Sequence, residues 1–218
     1  MSDSPTHLSL PLAHVLDPRL SQVLEYWLGA ELPTNDSAWA RKELWFTKRE
    51  ETDEEIRRLF GAVLQEALAG RLDAEALEQP LGMLAVLIVL DQFTRNAYRG
   101  TPKSFAGDAR ALQLARQAID RGWDTDETIP PLARIFMYLP LEHAEDLALQ
   151  QSSVVAFEQL HQEAPPPLRA FFASTLDYAR RHLAVIQAFG RFPHRNPILG
   201  RPSTPAEKAY LSQPGAGF

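Results

Sequence analysis

Apolar residues recur every three or four positions along most of the chain, which is the spacing of one face of an α-helix. Residues 20–28 and 56–68 show this spacing most clearly, and a nearly continuous apolar run covers residues 81–90. No alternating run bounded by turn residues predicts a strand. The pattern predicts an all-α protein of about nine helices, in which short loops join neighbouring helices into antiparallel pairs.

Local signals predict where several helices begin and end. Asp17 followed by Pro18 is typical of a helix start, and Thr52 with Glu55 forms a capping box that predicts another. Pro140 is expected to kink or break the helix that begins near residue 131. A second capping box is predicted near the C-terminus, from Thr204 and Glu207.

Length and composition fit a single domain. The chain has 218 residues, of which 45% are hydrophobic and 23% are charged. A chain of this size and composition can bury a substantial core. We expect an N-terminal extension over residues 1–16, one helical domain over 17–212 and a C-terminal tail over 213–218.

Charge and cysteine content exclude several function classes. The formal net charge of −6 argues against general nucleic-acid binding. The chain has no cysteine, which excludes disulfides, zinc–thiolate sites, iron–sulfur clusters and thiol nucleophiles. The N-terminus has no basic segment followed by an apolar one, and the run at 81–90 is about half a membrane span. We therefore expect a cytoplasmic protein that makes no membrane contact.

The first polar motif follows the apolar run directly and contains Asp91, Arg95, Asn96 and Arg99. Asp91 and Arg95 are four residues apart, so on an α-helix they would face each other and form an ion pair. The alternative is that Arg95 and Arg99 direct their guanidinium groups at an anionic ligand, since these groups suit carboxylate and phosphate. The sequence leaves both interpretations open.

The second polar motif contains Glu142, His143, Glu145 and Asp146. The three acids have helical spacing, so one helix face would carry three carboxylates, and repulsion should raise at least one pKa. Arginines from the other motifs could neutralise this face, and a metal ion bound with a histidine is the less favoured alternative. The spacing is not that of a di-iron bundle, because the histidine follows Glu142 directly.

The third polar motif contains Arg191, His194, Arg195 and Asn196, around a proline and after the glycine that should end a long helix. An imidazole titrates near neutral pH, so His194 is a candidate general acid or base. A structural role in the turn is the alternative. The sequence contains no glycine-rich phosphate loop, nucleophile elbow or zinc-binding helix motif, and we predict neither a cofactor nor a metal.

The three motifs together resemble a family of bacterial and eukaryotic proteins, the domain-of-unknown-function family numbered 924. The similarity lies in residues 90–102, 138–146 and 190–201, and extends from about residue 23 to 211. A small departure is Thr94, where a proline is common. The resemblance implies a tetratricopeptide-like all-helical fold, and it implies no activity, cofactor or catalytic residue.

We therefore expect the motifs to converge on one polar pocket that binds a small anionic molecule. Acid–base chemistry there would use His194, His143 or Glu142. The alternative is a helical scaffold that binds a peptide or protein partner, with the motifs as a buried ion-pair network. Whether the protein is an enzyme, and its oligomeric state, are left open. The residues expected to bind the ligand are Arg95, Asn96, Arg99, Arg191, Arg195, Asp91, Glu145 and Asp146.

Overall fold

The structure, a computed structural model, describes residues 17–29, 35–72 and 74–217. The expected N-terminal extension at residues 1–16 lies outside these residues. Within them the protein is all-helical and contains no strand, as predicted. Nine helices follow one another in the described residues: α1 Pro18–Leu28, α2 Asn35–Phe46, α3 Glu50–Leu68, α4 over residues 80–97, α5 Asp108–Asp120, α6 Pro131–Glu142, α7 Leu147–Gln162, α8 Arg169–Phe189 and α9 Pro205–Leu211.

Helix α4 is the centre of the core. It consists of an α-helical part, Pro80–Leu87, a π-helical turn, Ile88–Phe93, and a last turn, Thr94–Ala97. Its apolar run is buried throughout, as the sequence predicts. The ring of Phe93 packs 5.3 Å from Trp27 of α1 and 4.8 Å from Phe60 of α3, measured between centroids. The polar residues that follow Phe93 therefore emerge directly from the core.

Two of the predicted helix-end signals are confirmed. Asp17 caps α1 through a 2.8 Å hydrogen bond from the backbone N–H of Arg19. Thr204 and Glu207 form the capping box of α9. The box predicted at Thr52 is wrong, because α3 begins at Glu50 and Thr52 already lies in its first turn. That turn holds three acids beside the positive end of the helix dipole, which favours the earlier start.

The break predicted at Pro140 is also wrong, since α6 continues to Glu142. Proline removes one backbone hydrogen bond from a helix. The helix resumes its pattern at once, because His143 N–H donates to the carbonyl of Leu139 at 2.8 Å. This extra turn positions Glu142 inside the protein, where it is 3% exposed. Helices α6, α7 and α8 pack side by side, and α2 and α4 lie against them.

Candidate functional site

A cavity of about 600 Å³ lies between α2, α4, α6 and α8, and Gly215 and Gly217 of the C-terminal tail complete its wall. Most of its lining side chains come from these four helices. The polar ones are Lys42, Thr47, Lys48, Gln92, Arg95, Asn96, Arg99, Glu142, His143, Ser174, Thr175, Tyr178, Arg181 and His182, and the apolar ones are Trp45, Phe46, Ile135, Leu139, Phe157 and Phe171.

The first and second motifs meet where Asp91 contacts His143. The Oδ1 atom of Asp91 lies 2.7 Å from Nδ1 of His143, and its Oδ2 accepts a 2.5 Å hydrogen bond from Gln92. Burial disfavours the ionised form of Asp91, but His143, Arg95 and Gln92 together outweigh this effect, and the pKa of Asp91 falls below its usual value. Asp91 therefore fixes the imidazole through one nitrogen, which leaves Nε2 as the nitrogen available in the cavity wall.

The ion pair predicted between Asp91 and Arg95 is wrong. Arg95 pairs instead with Asp108 at the start of α5, where Nη2 lies 3.1 and 3.0 Å from the two carboxylate oxygens. A π-helical turn ends just before Arg95, and in it Thr94 N–H and Oγ1 both donate to the carbonyl of Val89, five residues back. The charge of Arg95 still contributes to the lowered pKa of Asp91, but its guanidinium group pairs with Asp108.

Asp108 pairs with two guanidinium groups. Arg195 from the third motif approaches the same carboxylate at 3.4 Å and donates to the backbone carbonyl of His143 at 2.9 Å. Arg95 and Arg195 also both lie about 5 Å from the ring of Phe105. Burial, and then the charge of Arg95, lowers the pKa of Arg195 to about 10. One carboxylate for two arginines leaves positive charge beside the cavity.

Arg99 is held by Asp53, a residue that the sequence motifs do not include. Asp53 is 1% exposed and accepts hydrogen bonds from Arg99 Nε at 2.5 Å, Arg99 Nη2 at 2.8 Å and Asn96 at 2.8 Å. Both Arg99 and Arg195 therefore have a carboxylate partner.

Glu142 is the one carboxylate in the described cavity lining. Its Oε1 lies 3.0 Å from Nδ1 of His182 on α8. Burial, with a smaller contribution from the charge of Asp91, raises the pKa of Glu142 to about 8. Burial also lowers the pKa of His182 well below its usual value. At neutral pH this pair is therefore a neutral carboxylic acid beside a neutral imidazole.

Glu145 and Asp146 do not share a face with Glu142. Helix α6 ends at Glu142, so the three acids point to different neighbours. Glu145 pairs with Arg201, with oxygen–nitrogen distances of 2.6 and 2.8 Å, and accepts the backbone N–H of Phe192 at 2.8 Å. Asp146 caps α7 by accepting the N–H of Leu149 at 2.9 Å. Both acids are structural, and neither lines the cavity.

The third motif contributes less to the cavity than expected. Arg191 pairs with Glu207 of α9 at 2.6 and 2.9 Å, and Asn196 donates to Ser203 at 3.1 Å. His194 is absent from the cavity lining and packs 5.7 Å from the ring of Phe192, between centroids. Burial, and then Arg195, lowers the pKa of His194 to about 4. Arg191 and Asp146 therefore lie apart from the cavity cluster, whereas His194 lies close to Arg195 and Arg95 without lining the cavity.

The sequence motifs do not include two lysines at the end of α2 or the α8 residues that line the cavity. Lys42 of α2 donates to Ser174 at 3.2 Å, and Lys48 follows the end of the helix. Arg181 and His182 come from α8. The signal was weak, because a lysine near a helix end is usually a surface residue.

In the described parts of the chain, no group of three or more histidine, aspartate and glutamate side chains is placed to hold a metal ion. Within the same residues, no helix has both the length and the apolar character needed to cross a bilayer.

Comparisons with other proteins reveal relatives without a known activity. The family described as "Bacterial protein of unknown function (DUF924)" matches residues 23–215. A solved structure of a protein of unknown function from Agrobacterium tumefaciens, ATU0120, is 35% identical and superposes with a TM-score of 0.71. The match covers 88% of this chain and 96% of that one. No curated protein matches the chain.

Proposed function

Because the chain belongs to the bacterial DUF924 family, whose description names no activity, we propose a function from the cavity itself: it binds a small organic anion. The main support for this proposal is that cationic side chains outnumber carboxylates in the cavity lining. Lys42, Lys48, Arg95, Arg99 and Arg181 line the cavity, and Glu142 is the one carboxylate among the described lining residues. A concave site with convergent cationic donors favours an anionic ligand.

The ion pairs around the cavity support this proposal. Arg95 and Arg99 are paired, but Asp108 and Asp53 are not part of the lining. Asp108 and Asp53 therefore hold the two arginines in place from outside the cavity lining. Glu142 adds no full negative charge at neutral pH, because its pKa is raised to about 8. Lys42, whose described polar partner is the hydroxyl of Ser174, adds a cation without a described carboxylate partner.

Acid–base chemistry on the bound anion would use His143 and Glu142. Asp91 orients the ring of His143, which is the arrangement of a histidine that accepts a proton through its second nitrogen. Glu142, neutral at pH 7, can donate a proton nearby. His194 is the weaker candidate, because it does not line the cavity.

A thermal-shift screen with phosphorylated compounds and organic acids tests the binding proposal. The variants are Lys42→Glu and Lys48→Glu, and the matched control is Lys208→Glu, an exposed lysine of α9 away from the cavity. Lys42, whose described polar partner is a hydroxyl group, is a better probe than Arg99 or Arg195, whose loss would leave carboxylates unpaired in the protein.

At least one anion should stabilise the wild type, by about 2.7 kcal/mol at a hundredfold excess over Kd. We expect Lys42→Glu and Lys48→Glu to weaken that anion's affinity by at least about tenfold. Lys208→Glu should leave the affinity unchanged. No stabilisation by any anion, or equal losses in all three variants, would contradict the proposal.

A scaffold for a peptide or protein partner is the second candidate. Phe46 and Tyr178 support this function, because they line the cavity and are 44% and 43% exposed. The ion pairs of Arg191, Arg201 and Asp108 also support it, because they act as internal structural contacts. A screen without anion binding would favour it. A cytoplasmic location stays a prediction under either function.

A further inference from the structure

We propose that the ligand is an amphipathic organic anion, with its charged group at one end of the cavity and an aromatic or hydrocarbon body at the other. This inference rests on the proposed function and adds the class of ligand. Its basis is an ordered change from apolar to polar side chains along two neighbouring helices.

Helix α6 changes character along its cavity face. Ile135 and Leu139 line the cavity first, and Glu142 and His143 follow at the end of the helix. These positions have the spacing of one helix face. Seven residues separate Ile135 from Glu142, which corresponds to about 10 Å along the axis. One end of this wall is therefore aliphatic, and the other carries two ionisable groups.

Helix α8 repeats this change. Phe171 lines the cavity at the first turn of α8, Ser174 and Thr175 follow, and Arg181 and His182 lie near the far end of the lining face. From Phe171 to His182 the rise is about 16 Å.

The contact between Glu142 and His182, 3.0 Å long, sets the two helices in register. It brings the polar end of α6 to the polar end of α8. On both helices the side chains that line the cavity become more polar towards this contact. The cavity therefore has an apolar half and a polar half.

Other helices extend the division. At the apolar end, Trp45 of α2 lies 6.1 Å from the ring of Phe171, between centroids, and Phe157 of α7 joins the lining. At the polar end, α4 brings Arg95 to the cavity, and Asp91 of the same helix holds His143 at 2.7 Å. Aromatic side chains therefore line one half of the cavity, with Lys42 at their edge through its hydrogen bond to Ser174, and Arg95 and His143 line the other half.

The volume agrees with a ligand larger than an inorganic anion. The cavity measures about 600 Å³. A water molecule takes up roughly 30 Å³ in the liquid, so the cavity has the volume of roughly twenty waters. A phosphate or acetate ion fills a small part of it and leaves the aromatic half uncovered. A body with a length of about 10 Å would span both halves, as the helical rise along α6 indicates.

Calorimetric titration with 4-phenylbutyrate, acetate and 4-phenylbutanol separates the two halves. The first ligand has both a carboxylate and an aryl body, the second has the carboxylate alone, and the third has the body without the charge. We expect 4-phenylbutyrate to bind at least about tenfold more tightly than either of the others.

A variant tests the apolar half. Phe46→Ala removes an exposed ring that lines the cavity and lies 6.1 Å from Trp45, so its loss should not unfold the protein. Leu59→Ala is the matched control, because Leu59 is similarly exposed at 45% and lies outside the lining. Phe46→Ala should weaken 4-phenylbutyrate binding by at least about threefold, whereas Leu59→Ala should not.

Each other outcome has a definite meaning. If acetate binds as tightly as 4-phenylbutyrate, or Phe46→Ala has no effect, the amphipathic ligand is wrong and anion binding stands. If 4-phenylbutanol binds as tightly as 4-phenylbutyrate, the cavity does not select charge, and both proposals fail. Absence of binding by all three compounds, together with no stabilisation by phosphorylated compounds, also overturns both.

Discussion

Individual buried acids around the cavity are each matched to a specific partner. Asp91 contacts His143, Asp53 contacts Arg99 and Asn96, and Glu142 contacts His182. The consequences differ because the environments differ. Asp91 is held ionised by its partner, whereas burial keeps Glu142 protonated at neutral pH. A buried acid is thus ionised in one case and protonated in the other.

Asp53→Ala tests the first of these roles. The substitution leaves Arg99 and Asn96 without their carboxylate, and we expect the free energy of unfolding to fall by about 2–3 kcal/mol. The Arg99 side chain is 34% exposed. Solvent therefore screens this pair, and the expected loss is smaller than for a fully buried one.

Chemical denaturation measures the effect of Asp53→Ala, and Glu54→Ala is its control. Glu54 is the exposed neighbour on α3. Its replacement should change stability by less than about 0.5 kcal/mol, as is usual for a surface position. Equal effects of the two changes would refute the assignment.

Glu142 predicts a pH dependence of stability. Its pKa rises from an ordinary 4.5 to about 8 on folding, so between these values the folded protein keeps a proton that the unfolded chain releases. Stability therefore falls as pH rises through this window, by up to about 1.4 kcal/mol per unit. Denaturation of Glu142→Gln between pH 5.5 and 8 should show a flatter dependence than the wild type. Identical slopes would mean that Glu142 titrates normally.

At the scale of elements, the π-helical turn of α4 and the residues after it contact two neighbouring helices. Arg95 pairs with Asp108 at the start of α5, and Asp91 contacts His143 at the end of α6. Gly107 makes the pairing of Arg95 possible, because a Cβ atom at this position would clash with the carbonyl oxygen of Leu90 in the turn. The glycine lets the start of α5 approach α4 closely, and Asp108 is the next residue.

A pair of glycine substitutions tests this close approach. Gly107→Ala should lower the free energy of unfolding by about 1–3 kcal/mol, because the added methyl group forces the two helices apart. A methyl group at Gly61, within α3, would meet no atom within 4 Å. Gly61→Ala should therefore raise the free energy of unfolding by about 0.5–1 kcal/mol through helix propensity. Thermal or chemical denaturation measures both, and the same sign for both variants would contradict the packing described for Gly107.

Helices were predictable from the sequence, whereas their polar contacts were not. Apolar periodicity and end signals such as Asp17 and Thr204 depend on residues close in the chain. The contact between Asp108 and Arg195 joins residues 87 positions apart, and no local pattern specifies it. The π-helical turn also has no sequence signal that we could use, and the expected pair of Asp91 with Arg95 was wrong.

For the whole molecule, the polar motifs divide between the cavity and its surroundings. The motif residues that line the cavity are Arg95, Asn96, Arg99, Glu142 and His143. Other motif residues hold helices and the C-terminal segment together, as the pairs of Arg191 with Glu207 and Glu145 with Arg201 do. Cations that the motifs do not contain, Lys42 and Lys48 among them, complete the cavity wall. The tetratricopeptide-like arrangement of the helices stays a prediction.

A crystal structure of the protein grown with selenate tests anion binding in the cavity most directly, because the selenium atom is located by its anomalous scattering. We predict an anomalous peak inside the cavity, within hydrogen-bonding distance of Lys42, Lys48 or Arg95. Peaks confined to the outer surface, with no selenium density in the cavity at a concentration that fills those surface sites, would contradict it.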